Sequence, residues 1–463
     1  MHERLDALRE TLEAHGQAHV LRFAEELDEE QSSQLASQLE SLDFARLSAL
    51  IKTALKGPDD ATSEDVGADS LQPPRVLDWG VDEDRDTLAR QAGAELLSAG
   101  KVGAFLVAGG QGTRLGYDGP KGRFPVGPLT NRTLFAFHAQ RVLATSRRYG
   151  AKLPFYIMTS RVNHEDTRNA FEEAHWFGLD PAQVFFLQQG MLPAITSDGK
   201  LLLSTRSSLS LSPDGHGGCF RALRESGALE DMESRGLEQL FYFQVDNPLA
   251  QVLDPLFVGH HAMERAEMST KVVDKTDPAE KVGVLALREG KTCLLEYSDL
   301  PDQLAEARDA DGRLRFRAGN IAIHMLTVDF LRQIATRDEL PVHRASKKVP
   351  CLDEKGDRVV PDEPNAVKME MFVFDALPLA QRSVTQVVLR EDEFSPVKNA
   401  EGSDSPATCT AALSEQAKRW MASAGLAVPD GVAEIGPLFA LDQEEFRANL
   451  TRGDFGPMFD RPA

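Results

Sequence analysis

Little in this chain of 463 residues is built for cross-links, membranes or polyanions. It has four cysteines, Cys219, Cys293, Cys351 and Cys409, far apart and with no C-x-x-C pair. That spacing excludes a disulfide framework and a zinc knuckle and suits a reducing compartment. No run approaches the roughly 20 apolar residues that a membrane span needs. The opening MHERLDALRETLEAHG is charged and lacks the apolar stretch of a secretory signal. Positive charge is also scarce: 51 Lys and Arg face 72 Asp and Glu, a net charge of −21. Such a balance argues against nucleic acid or an anionic membrane surface as partner. The expectation is a cytoplasmic protein of two or three domains, since single cores rarely exceed about 250–300 residues.

What is present is organised around VGAFLVAGGQGTRLGYDGPKG, residues 102–122. A short β-branched apolar run, Val102–Val107, predicts a buried strand. Side chains then nearly vanish at Gly109, Gly110 and Gly112, and cations follow at Arg114 and Lys121. Glycines let backbone N–H groups converge on an anion, and the cations add charge. A Walker A loop is excluded, because Lys121 is followed by Gly122 and Arg123 rather than Ser or Thr. A dinucleotide fingerprint fails as well, because Leu115 stands where the third glycine belongs. A ligand-free glycine turn is the plain alternative, and the two nearby cations count against it. The stretch is therefore expected to cradle nucleotide phosphates.

Around it the chain divides by pattern into three parts. Residues 1–98 are expected to be mainly helical, with leucine stripes such as Leu5, Leu8, Leu12 and Leu35, Leu39, Leu42 facing a core. A polar, breaker-rich linker spans 57–74. Residues 99–395 alternate strands with helices such as Leu134–Tyr149, which argues an α/β domain with a largely parallel sheet. A hairpin is expected within 280–320, and 396–463 reads as a small C-terminal domain with one helix near 405–424. Asp454-Phe455-Gly456 matches a kinase triplet by chance, since no other kinase motif accompanies it.

Further constellations carry chemistry. The apolar run LFYFQVDNPL ends in Asp246, a carboxylate at a strand's C-terminal end, and one such group beside phosphates suffices for Mg²⁺. A helix or turn cap is the competing explanation. SPDGHGG, residues 212–218, is a second glycine-dense loop holding Gly215 and His216. Gln189 follows a strand directly and has an amide suited to a base or sugar. Asn320 opens another apolar stretch, in which His324 is expected to be structural. Lys368 and Lys398 are late cations, the second following a dense acidic run.

VAGGQGTRLGYDGPKG, FLQQGMLPA, SPDGHGG, FQVDNPL, LLEYSD, FRAGNIAIH, VKMEMFVFD and LREDEFSPVKNAEG run in order from about residue 107 to 402. In these motifs the chain resembles the eukaryotic-type UDP-N-acetylglucosamine pyrophosphorylases of the wider UDP-sugar pyrophosphorylase family. The resemblance implies a Rossmann-like nucleotidyltransferase domain with a mixed, largely parallel sheet, a helical N-terminal region and a small C-terminal domain. It implies UTP and a sugar 1-phosphate as substrates, UDP-sugar and pyrophosphate as products, and Mg²⁺ as cofactor. By the same resemblance Val107, Ala108, Gly109, Gly110, Gln189 and Gly215 would contact the nucleoside. Arg114, Lys121, Lys368 and Lys398 would meet phosphates, and Asp246 would bind Mg²⁺. Gly283, Glu296, Tyr297 and Asn320 would hold the hexose. His216 stands where typical acetylglucosamine enzymes carry an asparagine tied to sugar recognition, and glucose-type relatives carry a histidine in a similar loop. A glucose or broad-specificity enzyme is thus the alternative.

Overall fold

The computed structural model describes residues 3–55, 70–337 and 340–452. Most of the expected linker, residues 56–69, and the Asp454–Gly456 triplet lie outside the described residues. The chain forms two compact units, each assembled from interleaved segments. No helix among the described residues is long and apolar enough to cross a membrane.

The first unit draws on Met1–Gly67, Gly190–Gly218 and Glu339–Val373. Its helices Glu3–Ala14, Glu29–Glu40 and Phe44–Leu55 follow the leucine periodicity. Asp28 starts the second with a capping box: its carboxylate accepts the Gln31 N–H, and the Gln31 side chain accepts the Asp28 N–H. Leu5, Leu12, Leu35, Leu39 and Leu47 are buried with Leu192, Ile195, Leu201 and Met369, so the stripes are core, as expected. The Gln17 amide ties helix to loop, donating to the Gly199 carbonyl at 2.9 Å and accepting from Leu201 N–H at 3.0 Å. Among the described residues four short antiparallel ladders complete the unit: Met191–Pro193 with Leu211–Pro213, Leu203–Thr205 with Ser208–Leu209, His343–Lys347 with Ala366–Glu370, and Cys351–Leu352 with Arg358–Val359.

The second unit, from Ala68–Gln189, Cys219–Asp338 and Phe374–Ala463, carries the large sheet. Its main strands are β1 (Val76–Leu77), β2 (Val102–Val107), β3 (Phe155–Thr159), β4 (Val184–Gln188), β5 (Gln239–Gln244), β6 (Met268–Asp274), β7 (Ala318–Thr327) and β8 (Ser383–Val388). They lie in the order β1-β8-β6-β7-β5-β2-β3-β4, all parallel except β7. The sheet is mixed and largely parallel, as the strand–helix alternation predicted. A parallel sheet covered on both faces needs continuous apolar strands, and β3 is buried at every residue. Helix Leu134–Tyr149 matches its expected bounds, with Thr133 as N-cap and Gly150 in the left-handed region as C-cap. The expected hairpin appears as Val284–Arg288 paired with Lys291–Leu295, and the late helix as Pro406–Ser423.

Candidate active site

From β2 the chain winds outward through β3 to β4, while β5 lies on the other side of β2. The carboxyl ends of β2 and β5 therefore flank the topological switch point, the place where open α/β sheets bind ligands. The glycine-rich loop leaves β2 there, and Asp246 leaves β5 there. The two ends stay in register, with Val107 opposite Gln244 and Val245 N–H donating to the Val107 carbonyl at 3.1 Å.

Past β2 the backbone is held by side-chain amides. Asn163, fully buried, donates to the carbonyls of Ala108 at 2.8 Å and Gly110 at 3.2 Å. Gln189 follows β4, its N–H donating to the Thr159 carbonyl at 2.7 Å, and its side chain lies against Gly109. A β-carbon at residue 109 would sit 2.5 Å from the Gln189 Oε1, so only glycine allows this approach. Val107–Gly110 and Gln189 are thus brought together. Downstream, Lys121 N–H donates to the Gly110 carbonyl at 3.1 Å, folding the loop back on itself. Arg114 lies on the short exposed turn Thr113–Leu115.

Lys121 and Asp246 meet at the strand ends. The Lys121 Nζ lies 4.0 Å from the Asp246 Oδ2, with both side chains largely buried, and donates to the Val397 carbonyl at 3.3 Å. Val397 N–H in turn donates to the Asp246 carbonyl at 2.8 Å. The Asn247 amide grips the same segment twice, donating to the Glu393 carbonyl at 2.7 Å and accepting from Ser395 N–H at 3.2 Å. Residues 393–397 are therefore strapped to the end of β5, and Lys398 follows immediately. Its Nζ is half-exposed, 3.7 Å from Asp404 Oδ2 and 5.6 Å from the Phe394 ring centre.

Behind the strap lies a cluster that no sequence motif pointed to. The Lys271 Nζ, fully buried on β6, lies 2.8 Å from the Asp254 carboxylate and 2.7 Å from that of Glu393. Burial opposes every charge here. Even so, Lys271 is held charged by the two carboxylates, and Asp254 is kept below the usual carboxylate range by Lys271. Glu393 is pushed upward by burial and by Asp254. The available signal was a lone lysine in the apolar run of β6. Asn163, also missed, showed only as an asparagine soon after an apolar strand.

The residues assigned to the hexose lie on the β7 side of the same unit. Asn320 N–H donates to the Gly283 carbonyl at 2.9 Å. A bulge interrupts the β6–β7 ladder, pairing Lys271 with Ile323 but Val272 with Asn320. Ala322 turns left-handed within it (φ 57°), its N–H donating to the Asn320 Oδ1 at 3.0 Å. Bulges re-aim side chains beside functional sites. Glu296 and Tyr297 follow the Lys291–Leu295 strand, with Glu296 half-buried and Tyr297 exposed.

Gly215, His216 and Lys368 belong to the first unit. Gly215 has φ +84°, and a β-carbon there would lie 2.3 Å from the Met371 carbonyl oxygen. Met371 N–H donates to the Asp214 carbonyl and Gly217 N–H to the Met371 carbonyl, both at 2.8 Å. His216 Nδ1 accepts the Val373 N–H at 3.1 Å, and its ring stacks on Phe372 with centres 5.2 Å apart. Nδ1 is an acceptor, so Nε2 carries the proton. Burial, reinforced by His343, lowers the His216 pKa to about 4, so the ring is neutral near pH 7. Lys368 is half-buried opposite Ala345.

A metal would not find a protein-only cage, because no group of three or more His, Cys, Asp or Glu converges among the described residues. One largely buried carboxylate at a strand end, Asp246, nonetheless suits Mg²⁺, which takes one or two carboxylates and completes its shell with phosphate oxygens and water.

Known proteins align with the whole of this architecture. A human UDP-N-acetylhexosamine pyrophosphorylase-like protein 1 is 36% identical, over 97% of this chain and 95% of its own length. The UDP-N-acetylglucosamine pyrophosphorylase of Saccharomyces cerevisiae is 36% identical, over 90% of this chain and 91% of its own. The crystal structure of the Trypanosoma brucei uridine diphosphate N-acetylglucosamine pyrophosphorylase, in complex with an inhibitor, superposes with a TM-score of 0.84 at 27% identity. That superposition covers all of this chain and 97% of the other. The profile of the UTP–glucose-1-phosphate uridylyltransferase family matches residues 56–449, and the chain belongs to that family.

Proposed function

We propose that the protein is a uridylyltransferase that makes UDP-N-acetylglucosamine and pyrophosphate, reversibly, from UTP and N-acetylglucosamine 1-phosphate. The observation that carries this is the convergence of the glycine loop, Lys121, Asp246 and the 393–398 strap at the switch point. The names of the relatives favour an acetylated hexosamine over the glucose or broad-specificity alternative. The same proposal puts the enzyme in the cytoplasm, where thiols such as those of Cys219 and Cys409 stay reduced.

In the proposed reaction a phosphate oxygen of the sugar 1-phosphate attacks the α-phosphorus of UTP in line. A P–O bond forms as the bond to the β-phosphate bridging oxygen breaks, and pyrophosphate leaves with that electron pair. The nucleophile is already anionic, so no general base is required. Catalysis then rests on positioning and charge neutralisation. Val107–Gly110 and the Gln189 amide orient the uridine. Lys121 and Lys398 neutralise the phosphates, and Arg114, free on its exposed turn, closes on the pyrophosphate side. Asp246 would hold Mg²⁺, which supplies further neutralisation of the phosphate oxygens. Gly283, Glu296, Tyr297 and Asn320 take the hexose. From the first unit we assign Gly215 to the nucleoside, Lys368 to the phosphates and His216, a neutral Nε2–H donor, to the sugar.

The test is pyrophosphate release from UTP with a panel of sugar 1-phosphates. N-acetylglucosamine 1-phosphate should give the highest kcat/KM. A higher value for glucose 1-phosphate would replace the acetylated sugar, and no release with any of them would end the proposal.

A further inference from the structure

One cavity holds none of Lys121, Asp246 and Lys398. It encloses about 750 Å³, within the range of small-molecule sites, and lies inside the second unit. Helix Leu134–Tyr149 turns Arg141, Thr145 and Arg148 into it at helical spacing, and helix Glu83–Ser98 adds Arg90.

Its charges do not all cancel. Arg148 lies 2.5 Å from Asp442, and Arg419 lies 2.7 Å from Asp392. Arg141 is only 6% exposed, yet its guanidinium has one acceptor, the Pro248 carbonyl at 3.1 Å, and its Nε has none. Burial lowers its pKa to about 10, with Glu393 opposing that fall. Arg90 forms no hydrogen bond or ion pair among the described residues and acts electrostatically on Asp254. With the Arg148 and Arg419 pairs set aside, the lining holds Arg90 and Arg141 against one buried carboxylate, Asp254, which Lys271 already pairs from behind. The remaining acids of the lining, Glu391 and Glu444, are exposed. A buried guanidinium with an unmet donor is costly, and a phosphate offers the acceptors and charge it lacks.

We propose that this cavity binds a phosphomonoester, its phosphate on Arg141 and Arg90 and its body against the aromatic walls supplied by Trp79, Tyr149 and Trp420. This does not rest on the uridylyltransferase proposal. The probes are AMP and inorganic phosphate, measured by calorimetric titration of the whole chain with UTP held in excess. AMP should bind saturably, one per chain, and be displaced by phosphate. Arg90→Ala and Arg141→Met should each weaken binding by about tenfold or more, whereas Lys121→Ala should leave it unchanged. If Arg141→Met does not fold, the exposed Arg90→Ala decides alone. Equal affinity in Arg90→Ala, loss of binding in Lys121→Ala, failure of phosphate to compete, or no saturable binding of AMP would each overturn the proposal.

Discussion

Two glycine-dense loops, 108–112 in the second unit and 214–218 in the first, look alike in composition and differ in physics. In the first, Gly109 and Gly112 are pressed by Gln189 and Tyr117, but the space beside Gly110 is open: a β-carbon there would meet only the Lys121 Cε, at 4.0 Å. In the second, protein fills the space. β-Carbons on Gly215 and Gly217 would collide with the backbone of residues 371 and 372, at 2.3 Å and 2.6 Å. The first loop leaves room beside Gly110, whereas Gly215 and Gly217 of the second are packed by the chain at residues 371–372. The same letters thus leave an opening in one place and close-packed backbone in the other.

The sharpest test of that contrast is Lys121→Ala. Removing the ammonium that flanks the open loop should lower turnover by about two to three orders of magnitude at unchanged melting temperature, measured by pyrophosphate release. Near-normal kcat would remove Lys121 from the phosphate site. Asp246→Asn should abolish the Mg²⁺ dependence of the rate, and an unchanged Mg²⁺ titration curve would take that carboxylate out of the metal's shell.

Paired alanines then separate the loops directly. Gly215→Ala should destabilise by about 1–3 kcal/mol, from left-handed strain and the clash with Met371, and so lower the melting temperature. Gly110→Ala should leave melting unchanged and raise KM for UTP. Equal melting temperatures for the two variants would erase the distinction.

A smaller effect concerns protons. Burial lowers the pKa of His138 and His261 to about 3, against 6.5 when unfolded. Below pH 6.5 the unfolded chain takes up protons that the folded chain refuses. Stability is therefore full above that pH and falls toward pH 3, by about 1.4 kcal/mol per pH unit for each histidine. Chemical denaturation at pH 7 and 5 should show the loss, and His261→Gln should reduce it. An identical pH slope in the variant would show that His261 is protonated in the folded state. Smallest of all, His216→Asn should alter the preference between glucose and N-acetylglucosamine 1-phosphates by about tenfold at most. An unchanged ratio would remove His216 from sugar selection.

Much of the catalytic unit's scaffold was legible beforehand because its signals are local. Val102–Val107 is a strand because a short apolar run with valine at each end leads into the glycines. Leu134–Tyr149 is a helix because its apolar spacing is bounded by Thr133 and Gly150. Asp246 and the glycine loop could each be placed at a strand end on the same grounds.

What local pattern cannot express is which strand ends become neighbours. That depends on crossovers that set β5 beside β2 and leave β3 and β4 on the far side. Only the fold brought Gln189 against Gly109, Val397 onto Lys121, and Lys271 between Asp254 and Glu393. Those pairs lie 80 to 276 residues apart, apart from the nearer Lys271–Asp254 contact, and their energies exist only once the sheet has closed. The sequence by itself determined the elements and the charged groups at their ends. The tertiary structure decided which of those groups meet, because desolvation and hydrogen bonding act on neighbours in space rather than along the chain.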